Sequence, residues 1–261
     1  MKIPFYQVDA FSPKIFGGNP AAVCFLEQWP ENEILRSIAS ENNLSETAFL
    51  VPQAEGLYQL RWFTPKLEVD LCGHATLASA FVIFSFVDRW LSTIAFETQS
   101  RRLLVTKSGE LLSMDFPARR AEAAGKSPLI AEALGAEPLA VLRSRDLLAV
   151  FQDEATIRDL KPDFDKVKQI PDVFAVIVTA PGEKYDFVSR FFAPKAGFPE
   201  DPVTGSAHCT LIPYWSDRLK KNQLHAFQLS ERGGELFCEN LGDRVRISGS
   251  AALYAKGEIY L

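Results

Sequence analysis

Two short stretches gather the residue types that could do chemistry together. The first is Asp70-Leu71-Cys72-Gly73-His74-Ala75 and the second Asp201-Pro202-Val203-Thr204-Gly205-Ser206-Ala207. Each sets an acid ahead of a glycine that opens an apolar, helix-like run. A glycine in the first turn of a helix lets a ligand approach bare backbone N–H groups, and the helix N-terminus supplies about half a positive charge for an anion. Two such starts facing each other across a domain crevice would grip a carboxylate. Either glycine alone could serve only a tight turn, with Ser206 as an ordinary N-cap; the duplication favours the anion-binding reading.

Four further side chains bear on the chemistry. His74 stands beside the presumed anion site, where it could polarise a ligand, or it could be a core histidine bonded to backbone. Asp201 could initiate a turn before Pro202; a carboxylate next to an anion site would otherwise need a partner such as His74 or a function of its own. Glu46 could be a solvated loop residue, yet between Leu44 and the apolar strand that begins at Ala48 it could occupy a poorly hydrated site suited to proton transfer. Cys72 invites a thiol mechanism, but the position before Gly205 holds Thr204, so the pattern does not make a symmetric two-thiol racemase.

Composition narrows the class. The 261 residues are 47% hydrophobic and 23% charged, as in a folded soluble chain rather than a disordered or collagen-like one. The net charge of −5 and the scattering of the basic doublets Arg101-Arg102, Arg119-Arg120 and Lys220-Lys221 exclude a phosphate-binding stripe, so no nucleic-acid partner is expected. The most apolar stretch, 77–87, stops at Asp88-Arg89 and is too short for a bilayer, so no membrane partner is expected. Residues 1–9 lack the apolar core of an export signal, and Cys24, Cys72, Cys209 and Cys238 form no CxxC pair; a cytoplasmic chain with free thiols is the expectation. His74, His208 and His225 show no zinc-helix spacing, so no metal is expected.

The elements that must position these residues follow from patterning. Residues 5–11 read as a strand, 12–20 as a loop rich in glycine and proline, and 21–26 as a short buried strand or helix. Ile34, Leu35, Ile38 and Ala39 make 31–42 a helix that ends at Asn42-Asn43. Strands are expected at 47–51, with Glu46 at the mouth, at 96–106 and at 111–116. Residues 127–134 and 154–160 read as helices, 139–151 as one strand, 173–180 as a buried run, and 223–229, 236–239, 244–248 and 251–261 as closing strands. An internal echo organises the whole: Arg61-Trp62-Phe63-Thr64-Pro65-Lys66 resembles Arg190-Phe191-Phe192-Ala193-Pro194-Lys195, about half a chain apart, and each leads to one of the acid–glycine stretches. This predicts a mixed α/β (α+β) chain of two related domains, 1–116 and 117–261. A linker is expected at 117–125, and the last strand is left able to pack back on the first domain.

The same residues resemble the PhzF-like isomerases of phenazine biosynthesis, which share the diaminopimelate epimerase fold. The resemblance rests on Val8-Asp9-Ala10-Phe11 with Gly18-Asn19-Pro20-Ala21-Ala22-Val23, on Asn43-Leu44-Ser45-Glu46-Thr47-Ala48-Phe49, on Phe63-Thr64-Pro65 through Asp70-Leu71-Cys72-Gly73-His74-Ala75-Thr76, and on Asp201-Pro202-Val203-Thr204-Gly205-Ser206-Ala207. The weaker Gln228-Leu229-Ser230-Glu231-Arg232-Gly233-Gly234 extends it over almost the whole chain. It implies two pseudo-symmetric domains, each a bent, mostly antiparallel sheet or barrel around a central helix, with the active site in the cleft between them. By this similarity Glu46 takes and returns a proton, His74, Asp201 and Ser206 shape and polarise the site, backbone at Gly73 and Gly205 holds a substrate carboxylate, and Asn19 lines the cleft. It also implies no organic cofactor or metal and, often, a homodimer. A single acid/base suits a proton shift better than inversion of a stereocentre, which favours an isomerase acting on a small carboxylate-bearing substrate. Two alternatives stand beside it: an epimerase or dehydratase built on Cys72 with Thr204, and a non-catalytic module for binding small acids or a protein partner.

Overall fold

The computed structural model describes residues 1–99, 101–125 and 127–261. Its elements in chain order are β1 (Lys2–Ala10), β2 (Asn19–Phe25), α1 (Asn32–Asn42), β3 (Glu46–Ala54), β4 (Leu57–Phe63), β5 (Glu68–Val69), α2 (Gly73–Val82), β6 (Thr93–Glu97), β7 (Arg102–Ser108) and β8 (Leu111–Pro117). There follow β9 (Glu122–Ala123), α3 (Pro128–Leu134), β10 (Ala140–Arg143), β11 (Leu147–Val150), α4 (Glu154–Asp159), α5 (Phe164–Gln169), β12 (Val176–Pro181), β13 (Phe187–Phe192), α6 (Gly205–Leu219), β14 (Gln223–Gln228), β15 (Gly234–Asn240), β16 (Arg244–Gly249) and β17 (Ala251–Tyr260). The chain forms two compact units, Met1–Asp115 with Ser248–Leu261, and Phe116–Ile247. The final strand belongs to the first unit because β17 pairs antiparallel with β1 along its length.

Each unit repeats one topology. In the first, β1 and β2 are antiparallel, β2 and β3 parallel across α1, β3 and β4 antiparallel, β4 and β6 parallel across α2, and β6 and β7 antiparallel. In the second, β10 and β11 are antiparallel, β11 and β12 parallel across α4 and α5, β12 and β13 antiparallel, β13 and β14 parallel across α6, and β14 and β15 antiparallel. Each parallel step needs a crossover, and a helix supplies it. The crossover helices that open at the acid–glycine stretches, α2 and α6, are buried over most of their lengths, which is why 77–82 is almost wholly apolar. On α1 one core cluster gathers Ile3, Cys24, Leu35, Phe49 and Phe63, and on α3 to α5 another gathers Val141, Ile157, Val176, Val188 and Phe192.

The sequence echo is a structural repeat down to side chains. Arg61 grips Glu68 through Nε and Nη2, both at 2.7 Å, and lies over the Phe63 ring; Arg190 grips Glu200 through the same atoms at 2.8 Å and lies over Phe192. These paired forks, half-buried and bidentate, clamp the chain between each β4-type strand and the acid–glycine turn that follows.

Several expected elements divide differently. The single strand expected at 139–151 is the hairpin β10–β11, turned at Ser144-Arg145-Asp146, where three polar residues interrupt the apolar run. The strand expected at 96–106 is the end of β6 and most of β7, broken where Thr98 donates through its backbone and hydroxyl to the Arg101 carbonyl. Residues 21–26 fall in a strand, β2, which is followed by the first crossover. The expected linker at 117–125 is anchored, with Ala118 N–H donating to Asp243 O and Arg119 N–H to Cys209 O, and it carries β9. Helix α5 was not expected; it is a short turn started by Asp163, whose carboxylate accepts from the backbone of Asp165 and Lys166. Among the described residues no helix is long and apolar enough to cross a membrane.

The β1–β2 loop ends at Gly18, whose φ is +64°, with room for nothing else: a Cβ there would stand 2.1 Å from Ala10 O. Gly18→Ala is therefore expected to cost at least about 2 kcal/mol, from a left-handed backbone and a steric clash together. Chemical denaturation of the variant against wild type measures it, and an unchanged midpoint would refute the clash.

Candidate active site

The first unit brings four sequence-separated side chains to the start of α2. Cys72 is the N-cap, in extended conformation, and Gly73 and His74 are the first two helical residues. Glu46 opens β3, and Asn19 opens the neighbouring β2, the two strands pairing in parallel with Ala21 opposite Glu46. The approach to Glu46 is set locally. Helix α1 ends on Asn43 in the left-handed region, and the Asn42 side-chain amide donates to Thr47 Oγ1, fixing the residue after Glu46.

His74 is the hub. Its Nδ1 lies 3.2 Å from the Asn19 amide nitrogen and 3.5 Å from Cys72 Sγ, while Nε2 faces Glu46 Oε2 at 3.2 Å. The last contact is at ion-pair distance but outside hydrogen-bond geometry, so neither atom has a hydrogen-bond partner. The His74 side chain is 6% exposed and that of Glu46 14%, so the pair is largely shielded from solvent. Burial alone pulls His74 toward the neutral form; Cys72 and Glu46 oppose it and push the imidazole above its ordinary range. Burial pushes the Cys72 thiol up to about 11, with Glu46 adding to the rise and His74 opposing it. Cys72 is thus a neutral thiol near pH 7. All four cysteines are free and buried, as expected.

The second unit builds a different start on the same frame. Thr204 is the N-cap of α6, so Ser206 is the second helical residue and not the cap. Asp201, expected to want a partner such as His74, accepts from Thr204 Oγ1 at 2.5 Å. Gln228, wholly buried, closes the turn: its Oε1 accepts from Thr204 N–H at 2.9 Å, and its Nε2 donates to Asp201 O at 2.7 Å. The role of Gln228 was not foreseen. The signal was present, since Leu224, Ala226 and Gln228 share the buried face of β14 and a glutamine on such a face must find partners. Neither Gly73 nor Gly205 has a positive φ, so a left-handed turn does not demand glycine at either place.

Register shows how the two units differ. Thr47 pairs with Phe63, and Val176 pairs with Phe192 at the equivalent step of the repeat; the counterpart of Glu46 is therefore Ala175. Cys72 corresponds to Thr204, and His74 to Ser206. One unit carries a carboxylate, an imidazole and a thiol, and the other carries none of these at the matching positions.

Two copies of one bent sheet around a helix, with an ionisable cluster at the helix start of one copy, define an epimerase-type fold. A probable proline racemase from Agrobacterium radiobacter shares it at a TM-score of 0.65 and 11% identity, over 99% of this chain and 93% of that one, a likeness of fold alone. The chain belongs to the PhzC-PhzF family of phenazine biosynthesis-like proteins, which matches residues 8–257. It is 51% identical to an uncharacterized isomerase of Pseudomonas aeruginosa over 261 residues, covering both chains fully. The crystal structure of a PhzF-family phenazine biosynthesis protein from Enterococcus faecalis superposes at a TM-score of 0.98 with 49% identity, again over the whole of both chains. The chain is accordingly an enzyme of the isomerase class.

Proposed function

We propose that the protein moves a proton on a small carboxylate-bearing substrate, with Glu46 as the group that removes and returns it. The observation that carries this reading is the close pairing of Glu46 with the buried His74 at the start of α2, which pushes the imidazole toward its protonated form. In the proposed cycle the Glu46 carboxylate takes a proton from a carbon α to, or conjugated with, a carbonyl or carboxylate. The electron pair moves onto the carbonyl oxygen, where the His74 imidazolium and the backbone N–H groups at Gly73 stabilise it. Glu46 then returns the proton at a different carbon, and atoms and charge balance without an oxidant. Asn19 holds the imidazole in place. By family resemblance Asp201 and Ser206 shape and polarise the site, and backbone at Gly205 holds the substrate carboxylate.

The repeat register supports a shift rather than an inversion. A symmetric pair of bases is missing from the repeat, since Ala175 matches Glu46 and Thr204 matches Cys72. The thiol alternative is weakened because Cys72 holds its proton to about pH 11.

Proton NMR in deuterium oxide, with a panel of cyclic and unsaturated carboxylic acids, tests the proposal. Wild type is expected to incorporate deuterium into, or isomerise, at least one acid, with Glu46→Gln inert and Cys72→Ala active. Equal exchange by wild type and Glu46→Gln, stopped by iodoacetamide, would transfer the chemistry to Cys72. Binding of acids without exchange by either protein would favour the binding module.

A further inference from the structure

The Glu46–Cys72–His74 cluster has a property that proton transfer does not require. Each residue offers one donor atom, and the three atoms, a sulfur, a nitrogen and an oxygen, lie within 4.8 Å of one another. We propose that this cluster is a binding site for a thiophilic divalent cation of the Zn2+ type, and that a cation seated there stops proton transfer. Only the second half rests on the reading of Glu46 as acid/base; the binding rests on geometry.

The donor set is the argument. Zinc takes thiolate, imidazole and carboxylate ligands, and three protein ligands with an open fourth position make an ordinary zinc site. Donors around a tetrahedral zinc stand about 3.3–3.8 Å apart. Cys72 Sγ to His74 Nδ1, at 3.5 Å, already meets this, as does Glu46 Oε2 to His74 Nε2 at 3.2 Å within a tenth or so of an ångström. These two contacts use different ring nitrogens, so one metal needs a small turn of the imidazole. Neither Oε2 nor Nε2 is held by a hydrogen bond, so the turn is made against the Asn19 and Cys72 contacts at Nδ1 alone. The partial positive charge of the α2 start opposes a cation, and the two anionic ligands offset it. With a single carboxylate the cluster does not suit Mg2+ or Ca2+, which want oxygen cages.

Binding balances without redox chemistry. The zinc–sulfur bond replaces the S–H bond of Cys72, its proton leaves to the buffer, and any proton on the ligating imidazole nitrogen leaves with it. The metal then occupies the electron pair with which Glu46 would take a substrate proton and the ring nitrogen whose N–H would stabilise the developing charge. It is an inhibitor on this view, not a cofactor.

Titration of the metal-stripped protein with Zn2+ against a chromophoric chelator tests the site. Wild type is expected to take up one equivalent, Cys72→Ala and Glu46→Gln to bind at least about 30-fold more weakly, and Mg2+ not to compete. His225→Gln, which breaks the partly exposed His225–Glu235 pair, is the control for adventitious binding and is expected to match wild type. Co2+ provides a readout independent of affinity: a near-ultraviolet sulfur-to-metal charge-transfer band in wild type, absent from Cys72→Ser. No uptake by folded wild type, full affinity in Cys72→Ala, or a loss of binding confined to His225→Gln would each overturn the site. Zinc-loaded protein that still exchanges substrate protons at full rate would overturn the inhibition. If no acid in the panel exchanges at all, the Glu46 reading falls while the titration and the cobalt band still decide the cation site.

Discussion

Glu46→Gln is expected to lower turnover by about a thousandfold or more, within or above the span that a positioned general acid–base supplies. Glutamine keeps the shape and much of the polarity of glutamate but cannot hold a transferable proton at neutral pH. The fold should survive: β3 is anchored by its pairing with β2 and β4 and by the Asn42–Thr47 bond, none of which uses the carboxylate. His74→Asn is expected to cost less, about a hundredfold, because it removes a stabilising charge rather than the base. The double variant should be little worse than Glu46→Gln alone, since the two groups act on one step. Exchange rates measured on an acid found active in the panel give all three values. A drop confined to KM, with kcat untouched, would make Glu46 a binding residue only.

The second large effect concerns acid stability and centres on His208. It lies wholly buried on α6 beside the Phe187 ring, donates Nδ1–H to Thr204 O at 2.9 Å, and has no hydrogen-bond partner at Nε2. Burial pushes its pKa down to about 4, only partly offset by the Thr204 carbonyl. The sign follows directly. Above pH 6.5 the imidazole is neutral in both folded and unfolded chains and contributes nothing to pH dependence. As pH falls below 6.5 the unfolded chain takes a proton that the folded chain excludes, and the loss of stability grows to roughly 3 kcal/mol by pH 4. His208→Asn, whose amide can still donate to Thr204 O but does not titrate, should lose that much less stability than wild type between pH 7 and pH 4. Urea unfolding of both proteins at the two pH values measures the difference, and equal losses would show that His208 does not carry the effect.

Local and pairwise features were legible in the chain. The spacing of Leu35, Ile38 and Ala39 gave α1 its buried face, and the repeated Arg-x-Phe-x-Pro motif announced two related units because the same clamp is built twice. The acid–glycine stretches do open the crossover helices α2 and α6. Element breaks were less visible where apolar residues flank a short polar turn, as at 144–146, since a run of buried residues looks alike whether it is one strand or a hairpin. The 3.2 Å approach of Glu46 to His74 could not be read from the residues either, because it depends on parallel pairing of β2 with β3 and on where α2 begins.

By itself, then, the amino-acid order determined which residues are chemically capable, where most helices and strands lie though not all of their breaks, and that the architecture is a duplication; these follow from periodicity, propensity and motif spacing, which act over a few residues. Tertiary structure decided the rest. It put Ala175 at the repeat position that matches Glu46, pushed the His74 imidazole toward its protonated form and kept the proton on Cys72, gave Asp201 to Thr204, and brought in Gln228. Each of those outcomes depends on strand register and on burial, and both arise only when distant segments pack and water is removed from between them.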